Sequence, residues 1–322
     1  MMRFFLLFII MLSLSLMANE STTIIQKKKL AYLVSDVRIP FWEIMSRGIK
    51  SKASKLGYEV VVYSANNKLK NELANTVQAI KSGVDGLIIS PIASSSAVTI
   101  LKFAQKAKVP VVISDIGTNG GEYVSFISSN NRQGAYELGQ ILTKKMKELH
   151  LENGTVGIVA IPQKRANGQM RTAGFMQALD EAGVKASGLY QQKDFSYNET
   201  YNYTKTLIQN DANLKALWLQ GSNRYQGAFD AIADSGKKGQ ILLICFDAEP
   251  EFLRMIPKEE LIGSAMQQPF LMGENAVMAL DAKFNGKDVA KNIELPILAI
   301  SKENIKINMP IIQRNVLGIL KK

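Results

Sequence analysis

Short apolar runs alternate with longer segments of helical periodicity along almost the whole chain. Runs such as "KLAYLVS", "GLIIS" and "VPVVIS" predict β-strands in the first half, and "TVGIVAI", "ALWLQ" and "ILLICF" predict them in the second. Several of these runs are apolar without alternation, which is typical of parallel sheets covered on both faces. Alternation of strand and helix favours right-handed crossovers between parallel strands. About ten such units predict an α/β fold with two doubly wound parallel-sheet lobes.

The helical segments also show where they end. Leu73, Val77 and Ile80 recur at helical spacing and predict one apolar helix face. Gly57 and Gly83 stand where a helix closes with a left-handed residue, a conformation that glycine adopts without strain. We therefore predict helices that end at these glycines and lead into the next strands.

The N-terminus, "MMRFFLLFIIMLSLSLMANES", places one positive charge, Arg3, before an apolar run over residues 4–16. A membrane span needs about 20 apolar residues, so this run has instead the length of a signal-peptide core. Leu16 stands where a cleavage site prefers a small residue, and no cysteine follows that would carry a lipid anchor. We expect residues 1–18 to be a signal peptide and the mature chain to be exported and soluble.

Length and composition favour two folded domains without metal or disulfide. The chain has 322 residues, of which 47% are hydrophobic and 21% charged, as in globular proteins. The single cysteine, Cys245, excludes an internal disulfide, and with the single histidine, His150, it cannot form a zinc site. Cys245 lies in an apolar run, which predicts a buried, unreactive thiol. We expect no metal and no cofactor.

The formal net charge of +11 leaves several classes of partner to consider. A basic excess fits nucleic acid, an anionic surface or an acidic ligand. The lysines, however, are spread along predicted helices and form no stripe interleaved with aromatic residues. This distribution favours a solvated lysine-rich surface, and we expect no nucleic-acid partner.

Two aspartates stand at matching places in the two halves of the chain. Asp115 ends "KVPVVISD" and Asp247 ends "GQILLICFD", each about 25 residues after another apolar strand. Ligands of open α/β sheets bind outside the carboxyl ends of the strands. The pair therefore predicts two half-sites that face each other across a cleft. The alternative is that each aspartate only caps the following loop or helix.

Enzymatic motifs are missing, whereas groups suited to a small polar molecule are present. The chain has no G-x-S-x-G elbow, no P-loop and no G-x-G-x-x-G after a strand. Arg171 begins a predicted helix and can point towards the cleft, although an arginine taken alone is more often a surface residue. Arginine and carboxylate groups form strong, charge-assisted hydrogen bonds. We expect a binding protein and not an enzyme.

Six motifs follow one another in a recognisable order: "VSDVRIPFWEIMSRGIKSKASKLGYEV", "ANTVQAIKSGVDGLIISPIASSSAV", "VPVVISD", "RTAGFMQAL", "CFDAEP" and "AMQQPFLMGENAV". In these motifs the chain resembles the periplasmic binding proteins of the ribose and galactose type. That family shares its two-lobed fold with the effector core of lac-repressor-type regulators. The resemblance covers nearly everything after residue 28.

The resemblance implies a ligand held in the interlobe cleft between aromatic rings and polar side chains. Two aromatic residues of the first loop and one of the second lobe would enclose it. The implied ligand-binding residues are Arg38, Phe41, Trp42, Ser90, Asp115, Arg171, Phe195, Asn223, Asp247 and Gln267. As an alternative, Trp42 belongs to the helix core.

Departures from the family pattern argue against ribose as the ligand. Ile39 and Ser90 replace two asparagines of the family, and Ile116 replaces the arginine beside the cleft aspartate. Gly221 stands where the second lobe has an asparagine, with Asn223 nearby. Several groups matched to pentose hydroxyls are thus absent, and a site built for one hydroxyl pattern rejects others strongly.

The resemblance also implies lobe boundaries. It places the N-terminal lobe at 27–129 plus 268–297 and the C-terminal lobe at 130–267 plus 298–322. The three hinge segments would lie near 129–131, 267–269 and 296–298.

The implied function is that of a periplasmic solute-binding protein, a monomer that closes on a sugar or polyol and delivers it to an ABC permease. A sensory alternative is docking on a membrane histidine kinase, as in relatives that bind autoinducer or trimethylamine oxide. A transcription regulator would need a DNA-binding segment before residue 28, where a signal peptide is predicted instead. An enzyme would need a nucleophile–base pair or a metal set, which the sequence does not show.

Overall fold

Two six-stranded β-sheets carry the fold in the computed structural model, which describes residues 27–319. The predicted signal peptide lies outside the described residues. The strands are β1 (Lys29–Val34), β2 (Glu59–Ser64), β3 (Gly86–Ser90), β4 (Val111–Ser114), β5 (Ser125–Ser129), β6 (Thr155–Ala160), β7 (Lys185–Gln191), β8 (Leu214–Leu219), β9 (Leu242–Phe246), β10 (Gly263–Met266), β11 (Asn292–Leu295) and β12 (Leu298–Ser301). The helices are α1 (Pro40–Lys55), α2 (Leu69–Lys81), α3 (Ser94–Lys106), α4 (Asn131–Glu148), α5 (Ala166–Glu181), α6 (Tyr197–Asn210), α7 (Tyr225–Asp234), α8 (Phe252–Met255), α9 (Pro269–Phe284) and α10 (Ile305–Ile311), followed by a π-helix (Ile312–Val316).

The strand order confirms the predicted doubly wound architecture. The first sheet has the order β11-β5-β4-β3-β1-β2, and all its neighbouring strands are parallel. The second sheet has the order β12-β10-β9-β8-β6-β7. It is parallel except at its edge, where β12 runs antiparallel to β10. All ten strands predicted from the sequence form, while the edge strands β11 and β12 were not predicted: β11 alternates polar and apolar residues, and the apolar run of β12 begins in the segment predicted to be a hinge.

The chain passes between the two sheets three times. It leaves the first sheet after β5, returns after β10, and leaves it again between β11 and β12. We call β1–β5, β11 and the helices α1–α3 and α9 the first lobe, and the remaining elements the second lobe. The three crossings fall at the segments predicted to be the hinge.

The C-terminal segment contacts both lobes. Ile312 and Val316 are buried in the core around β8–β10 of the second lobe. Arg47 of α1 donates hydrogen bonds to the carbonyl oxygens of Leu317 and Gly318, at 2.9 and 3.1 Å. The lobe boundaries near the C-terminus therefore stay a prediction.

Helix α1 approaches helix α9 closely because both carry glycine at the contact. A Cβ atom on Gly48 would lie 2.1 Å from the carbonyl oxygen of Phe270. One on Gly273 would lie 2.3 Å from the carbonyl oxygen of Met45. The two glycines thus set the position of α1, the helix whose first turn carries Phe41 and Trp42.

The predicted apolar face of α2 is only partly buried. Gly57 and Gly83 have φ values of +74° and +71°, as predicted for residues that close helices. The buried residues of α2, however, are Glu72, Thr76 and Ala79, while Val77 is exposed. The prediction was wrong for Val77 because Glu72 turns inward: its carboxylate accepts a hydrogen bond of 2.6 Å from the backbone N–H of Ile92.

The burial of Cys245 and the character of the helices also bear on the sequence predictions. Cys245 is fully buried, as predicted, and burial raises the pKa of its thiol, which favours the protonated form. Among residues 27–319, no helix combines the length and the apolar character that crossing a bilayer requires.

Candidate functional site

A cavity of about 50 Å³ lies between the two lobes, at the carboxyl ends of both sets of parallel strands. This is the edge at which ligands bind in open α/β sheets. From the first lobe it is lined by Ile39, Pro40, Phe41, Trp42 and Asp115. From the second lobe it is lined by Ile161, Arg165, Asn167, Arg171, Gln192, Phe195, Gly221, Ser222, Asn223, Asp247, Glu249 and Gln267.

The two predicted aspartates occupy equivalent positions in the two lobes. Asp115 follows β4 and Asp247 follows β9, with φ values of +71° and +66°. Each backbone N–H donates to the neighbouring strand, Asp115 to the carbonyl oxygen of Ile127 at 3.0 Å and Asp247 to that of Ala265 at 2.9 Å. Left-handed backbone is strained for residues other than glycine and is found preferentially at functional sites.

Neither carboxylate caps a helix. Asp115 accepts hydrogen bonds from the indole Nε1–H of Trp42 at 3.1 Å and, across the cleft, from the amide of Asn167 at 3.4 Å. Asp247 accepts one from the amide of Gln267 at 2.7 Å. The capping alternative therefore does not describe these side chains, and both carboxylates are available to the cavity.

Burial raises the pKa of both aspartates and so disfavours their ionised forms. It raises the pKa of Asp115 to about 6, with the Arg171 guanidinium acting against this shift and the charge of Asp247 adding to it. Burial also raises the pKa of Asp247, again against Arg171. A ligand that donates hydrogen bonds to these carboxylates would stabilise their charged forms.

Arg171 is part of the framework of the second lobe. It is only 3% exposed, and its guanidinium stacks on the ring of Phe246 at 3.8 Å from the ring centre. Its Nε–H donates to the side-chain oxygen of Asn131 at 2.8 Å, and Nη1 donates to the carbonyl oxygen of Gln220 at 2.7 Å. Nη1 also lies 3.7 Å from the Asp247 carboxylate. Arg171 thus lies on the lobe opposite Asp115, as predicted, and holds Asp247 in place.

Three aromatic rings reach the cavity, two from the first lobe and one from the second. Phe41 and Trp42 meet edge to face, with ring centres 6.3 Å apart. Phe195 approaches from the second lobe in a left-handed backbone conformation, at φ +57°. Trp42 also packs into the core of the first lobe, so it both lines the cavity and belongs to the helix core.

Gln267 presents an unpaired acceptor. Its side chain is 1% exposed, and its amide nitrogen donates a hydrogen bond to the carboxylate of Asp247. Its oxygen Oε1 is buried and has no hydrogen-bond partner among the described residues. A buried acceptor without a partner costs free energy, and a donor on a ligand would remove that cost. Asn223 lines the same cavity and donates to the carbonyl oxygen of Phe195 at 3.3 Å.

Two predicted site residues do not line the cavity. Ser90 is fully buried beneath it, with its hydroxyl 3.0 Å from that of Tyr32. Arg38 is largely exposed on the rim, where it binds the Asp36 carboxylate at 2.7 Å. The structure therefore brings together the other eight predicted residues.

Several residues of the cavity were missed by sequence reasoning: Arg165, Asn167, Gln192, Ser222 and Glu249. Arg165 and Asn167 precede Arg171 in the polar stretch that follows β6, and Glu249 lies two residues after Asp247. Their position just beyond carboxyl ends of strands was the available signal, but polar residues are common in such loops.

Glu249 adds a third carboxyl group to the cavity. One of its oxygens accepts a hydrogen bond from the Ser222 hydroxyl at 2.8 Å. Burial raises its pKa to about 7; the charges of Glu251 and Asp247 add to this shift, while Ser222 and Arg224 oppose it. The cavity is therefore rich in hydrogen-bond acceptors and suits a small molecule with several donors.

These raised pKa values predict a pH-dependent stability. A carboxyl whose folded pKa exceeds its unfolded pKa binds more protons when folded, so its contribution to stability falls as the pH rises between the two values. For Glu249 this window runs from 4.5 to about 7. We expect the melting temperature of the ligand-free protein to fall between about pH 5 and pH 8, and Glu249→Gln to reduce that fall.

Calorimetry across this pH range checks the prediction, with Glu152→Gln as the control because Glu152 is exposed. An identical pH profile for wild type and Glu249→Gln would contradict it.

Comparison with known proteins agrees with this geometry. A ribose import binding protein from Haemophilus influenzae is 29% identical over 279 residues, which cover 85% of this chain and 91% of the relative. The D-allose-binding periplasmic protein of Escherichia coli is 23% identical over 278 residues, covering 83% of this chain and 88% of the relative.

A solved structure shares the fold. The carbohydrate transporter solute-binding protein from Agrobacterium radiobacter, in complex with D-arabinose, superposes with a TM-score of 0.82 at 20% identity, covering 91% of this chain and 99% of that one. The family model described as periplasmic binding protein domain matches residues 30–288. The chain belongs to the periplasmic binding protein domain family.

Proposed function

We propose that this protein is an exported solute-binding component of an ABC importer, which closes its lobes on a sugar or polyol. The observation that carries the proposal is the acceptor-rich cavity shared by both lobes and flanked by three aromatic rings. Aromatic faces suit the C–H face of a sugar ring, and carboxylates accept hydrogen bonds from its hydroxyls. The named relatives are a ribose import binding protein and a D-allose-binding periplasmic protein. Their names support the transport role and do not favour the sensory alternative.

Closure follows from the division of the site between the lobes. Asp115 and Trp42 belong to the first lobe, whereas Asp247 and Phe195 belong to the second. A ligand makes both sets of contacts only when the cleft is shut, so it shifts an open–closed equilibrium towards the closed form. The three chain crossings near 129–131, 267–269 and 296–298 would serve as the hinge between lobes at 27–129 plus 268–297 and 130–267 plus 298–322.

The ligand-binding residues proposed from the cavity are Phe41, Trp42, Asp115, Arg171, Phe195, Asn223, Asp247 and Gln267. Arg38 would act from the rim, and Ser90 would act from below the cavity. Ile39 and Gly221 line the cavity without a polar side chain. This supports a ligand whose hydroxyl pattern differs from that of ribose.

The remaining parts of the proposal concern the setting of the protein. Residues 1–18 would be removed as a signal peptide, and the mature chain would act as a monomer in the periplasm. The closed lobes would present the surface that a membrane permease recognises. The site would bind its ligand without chemical change.

A thermal-shift screen tests this function. The panel would hold pentoses, hexoses and polyols, including D-ribose, D-allose, D-arabinose and myo-inositol, beside amino acids as a different class. We expect at least one sugar or polyol to stabilise the protein, by about 2.7 kcal/mol at 100 times its Kd. Stabilisation by amino acids alone would contradict the proposal.

A further inference from the structure

Arg165 joins the two lobes by a direct hydrogen bond. It belongs to the second lobe, immediately before α5, yet its Nε–H donates to the carbonyl oxygen of Ile92 in the first lobe, at 3.0 Å. The side chain is 4% exposed. It therefore leaves water when the cleft is closed, and it would lose this partner when the lobes separate.

The acceptor of this bond is held firmly in the first lobe. The N–H of Ile92 donates to the carboxylate of Glu72, itself 4% exposed, at 2.6 Å. The carboxyl group of Glu72 and the guanidinium of Arg165 thus lie at opposite ends of one residue, Ile92; burial raises the pKa of Glu72, while the hydrogen bond from Ile92 and the charge of Arg165 favour its ionised form. Charges placed in this way strengthen both hydrogen bonds in a buried environment.

The guanidinium also lies near aromatic rings of both lobes. It is 5.6 Å from the ring centre of Trp42 in the first lobe and 5.3 Å from that of Phe195 in the second. Contacts of a cation with aromatic faces at this range are attractive and become stronger when water is excluded. Opening the cleft would break the contact with Trp42 and keep the one with Phe195.

Arg165 is also a source of positive charge near Asp115. None of the cavity-lining residues of the first lobe, among those that the structure describes, is a cation. The charge of Arg165 favours the ionised form of Asp115, as does that of Arg171, and both come from the second lobe. The carboxylate of Asp115 therefore has a compensating charge nearby when the lobes are together.

We propose that Arg165 is a positioning residue that clamps the two lobes shut, by bonding to Ile92 and covering Trp42 whether or not a ligand is present. The clamp stabilises the closed form in the ligand-free protein and so keeps part of the population ready to hold a ligand. The apparent affinity rises with the fraction of molecules in the binding-competent form. The clamp itself is a contact within the protein, and only its effect on affinity rests on the proposed function.

The first experiment uses no ligand. Spin labels would be attached at Lys70→Cys and Lys193→Cys, which are exposed and lie on opposite lobes, while the buried Cys245 would stay unlabelled. Double electron–electron resonance would then measure the distance between the lobes. We expect Arg165→Met to remove the short-distance population, Arg165→Lys to reduce it, and the exposed neighbour Lys164→Met to leave it unchanged. Identical distance distributions for wild type and Arg165→Met would overturn the proposal.

The second experiment measures affinity by calorimetry, with the sugar or polyol that gives the largest thermal shift in the screen. We expect Arg165→Met to weaken binding at least about tenfold, Arg165→Lys to weaken it less, and Lys164→Met to have no effect. Equal or tighter binding by Arg165→Met would overturn the proposed effect of the clamp on affinity. If no sugar binds, the proposed function fails, and the distance measurement still decides the clamp.

Discussion

Replacing Asp115 by asparagine is expected to weaken binding of the sugar or polyol by about 2–4 kcal/mol, which is roughly 30- to 700-fold in Kd. The carboxylate is 5% exposed, and it is the ionised side chain that the first lobe places in the cavity. Asparagine keeps the shape and tolerates the left-handed backbone at φ +71°. The substitution therefore removes the charge and leaves the local fold in place.

The same variant should be at least as stable as the wild type without ligand. Burial raises the pKa of Asp115 to about 6, so the ionised form at neutral pH costs stability that asparagine would not cost. Titration calorimetry and thermal unfolding at about pH 8 would measure both effects, with the exposed Asp180→Asn as the control. Wild-type affinity in Asp115→Asn, or a marked loss of stability, would contradict the assignment of Asp115 to the ligand site.

Replacing Gly48 by alanine should lower the free energy of unfolding by about 2–4 kcal/mol. The added methyl group would lie 2.1 Å from the carbonyl oxygen of Phe270, a backbone atom that moves only if helix α9 moves. Because α1 carries Phe41 and Trp42 into the cleft, a displaced α1 should also weaken ligand binding.

Chemical denaturation of Gly48→Ala and of the control Lys50→Ala, an exposed position on the same helix, would test this. Gly48→Ala with an unfolding midpoint equal to that of Lys50→Ala would show that α1 and α9 can separate without cost, contrary to the expectation.

Much of the fold follows from local pattern. Central runs such as "GLIIS" and "VVIS" form fully buried strands, as expected for apolar runs without alternation in a sheet covered on both faces. The glycines at 57 and 83 end their helices because a left-handed residue is needed there, and each has φ near +70°. The edge strand β11 was not predicted because it alternates polar and apolar residues, and β12 was not predicted because its apolar run begins in the segment assigned to a hinge.

The candidate site was predictable where it depends on strand ends. Asp115 and Asp247 each follow an apolar strand directly, so their place at one edge of each sheet was implied by the chain order. The places of Arg165 and Glu249 in the cavity could not be predicted, because nothing in their neighbouring residues distinguishes a cleft side chain from an ordinary loop side chain. The exposure of Val77 was not predicted for a similar reason: Glu72 is buried on the inner face of α2, where its carboxylate accepts a long-range hydrogen bond from the N–H of Ile92.

The sequence by itself determined the two doubly wound lobes and the pair of aspartates that directly follow strands of the two sheets. These features depend on periodicity and on the order of elements, which are properties of neighbouring residues. The tertiary structure alone decided which helix face is buried, how closely Gly48 lets α1 approach α9, and that Arg165 bonds to Ile92 across the cleft. Those outcomes depend on contacts between residues distant in the chain, whose geometry is set only when both lobes have packed together.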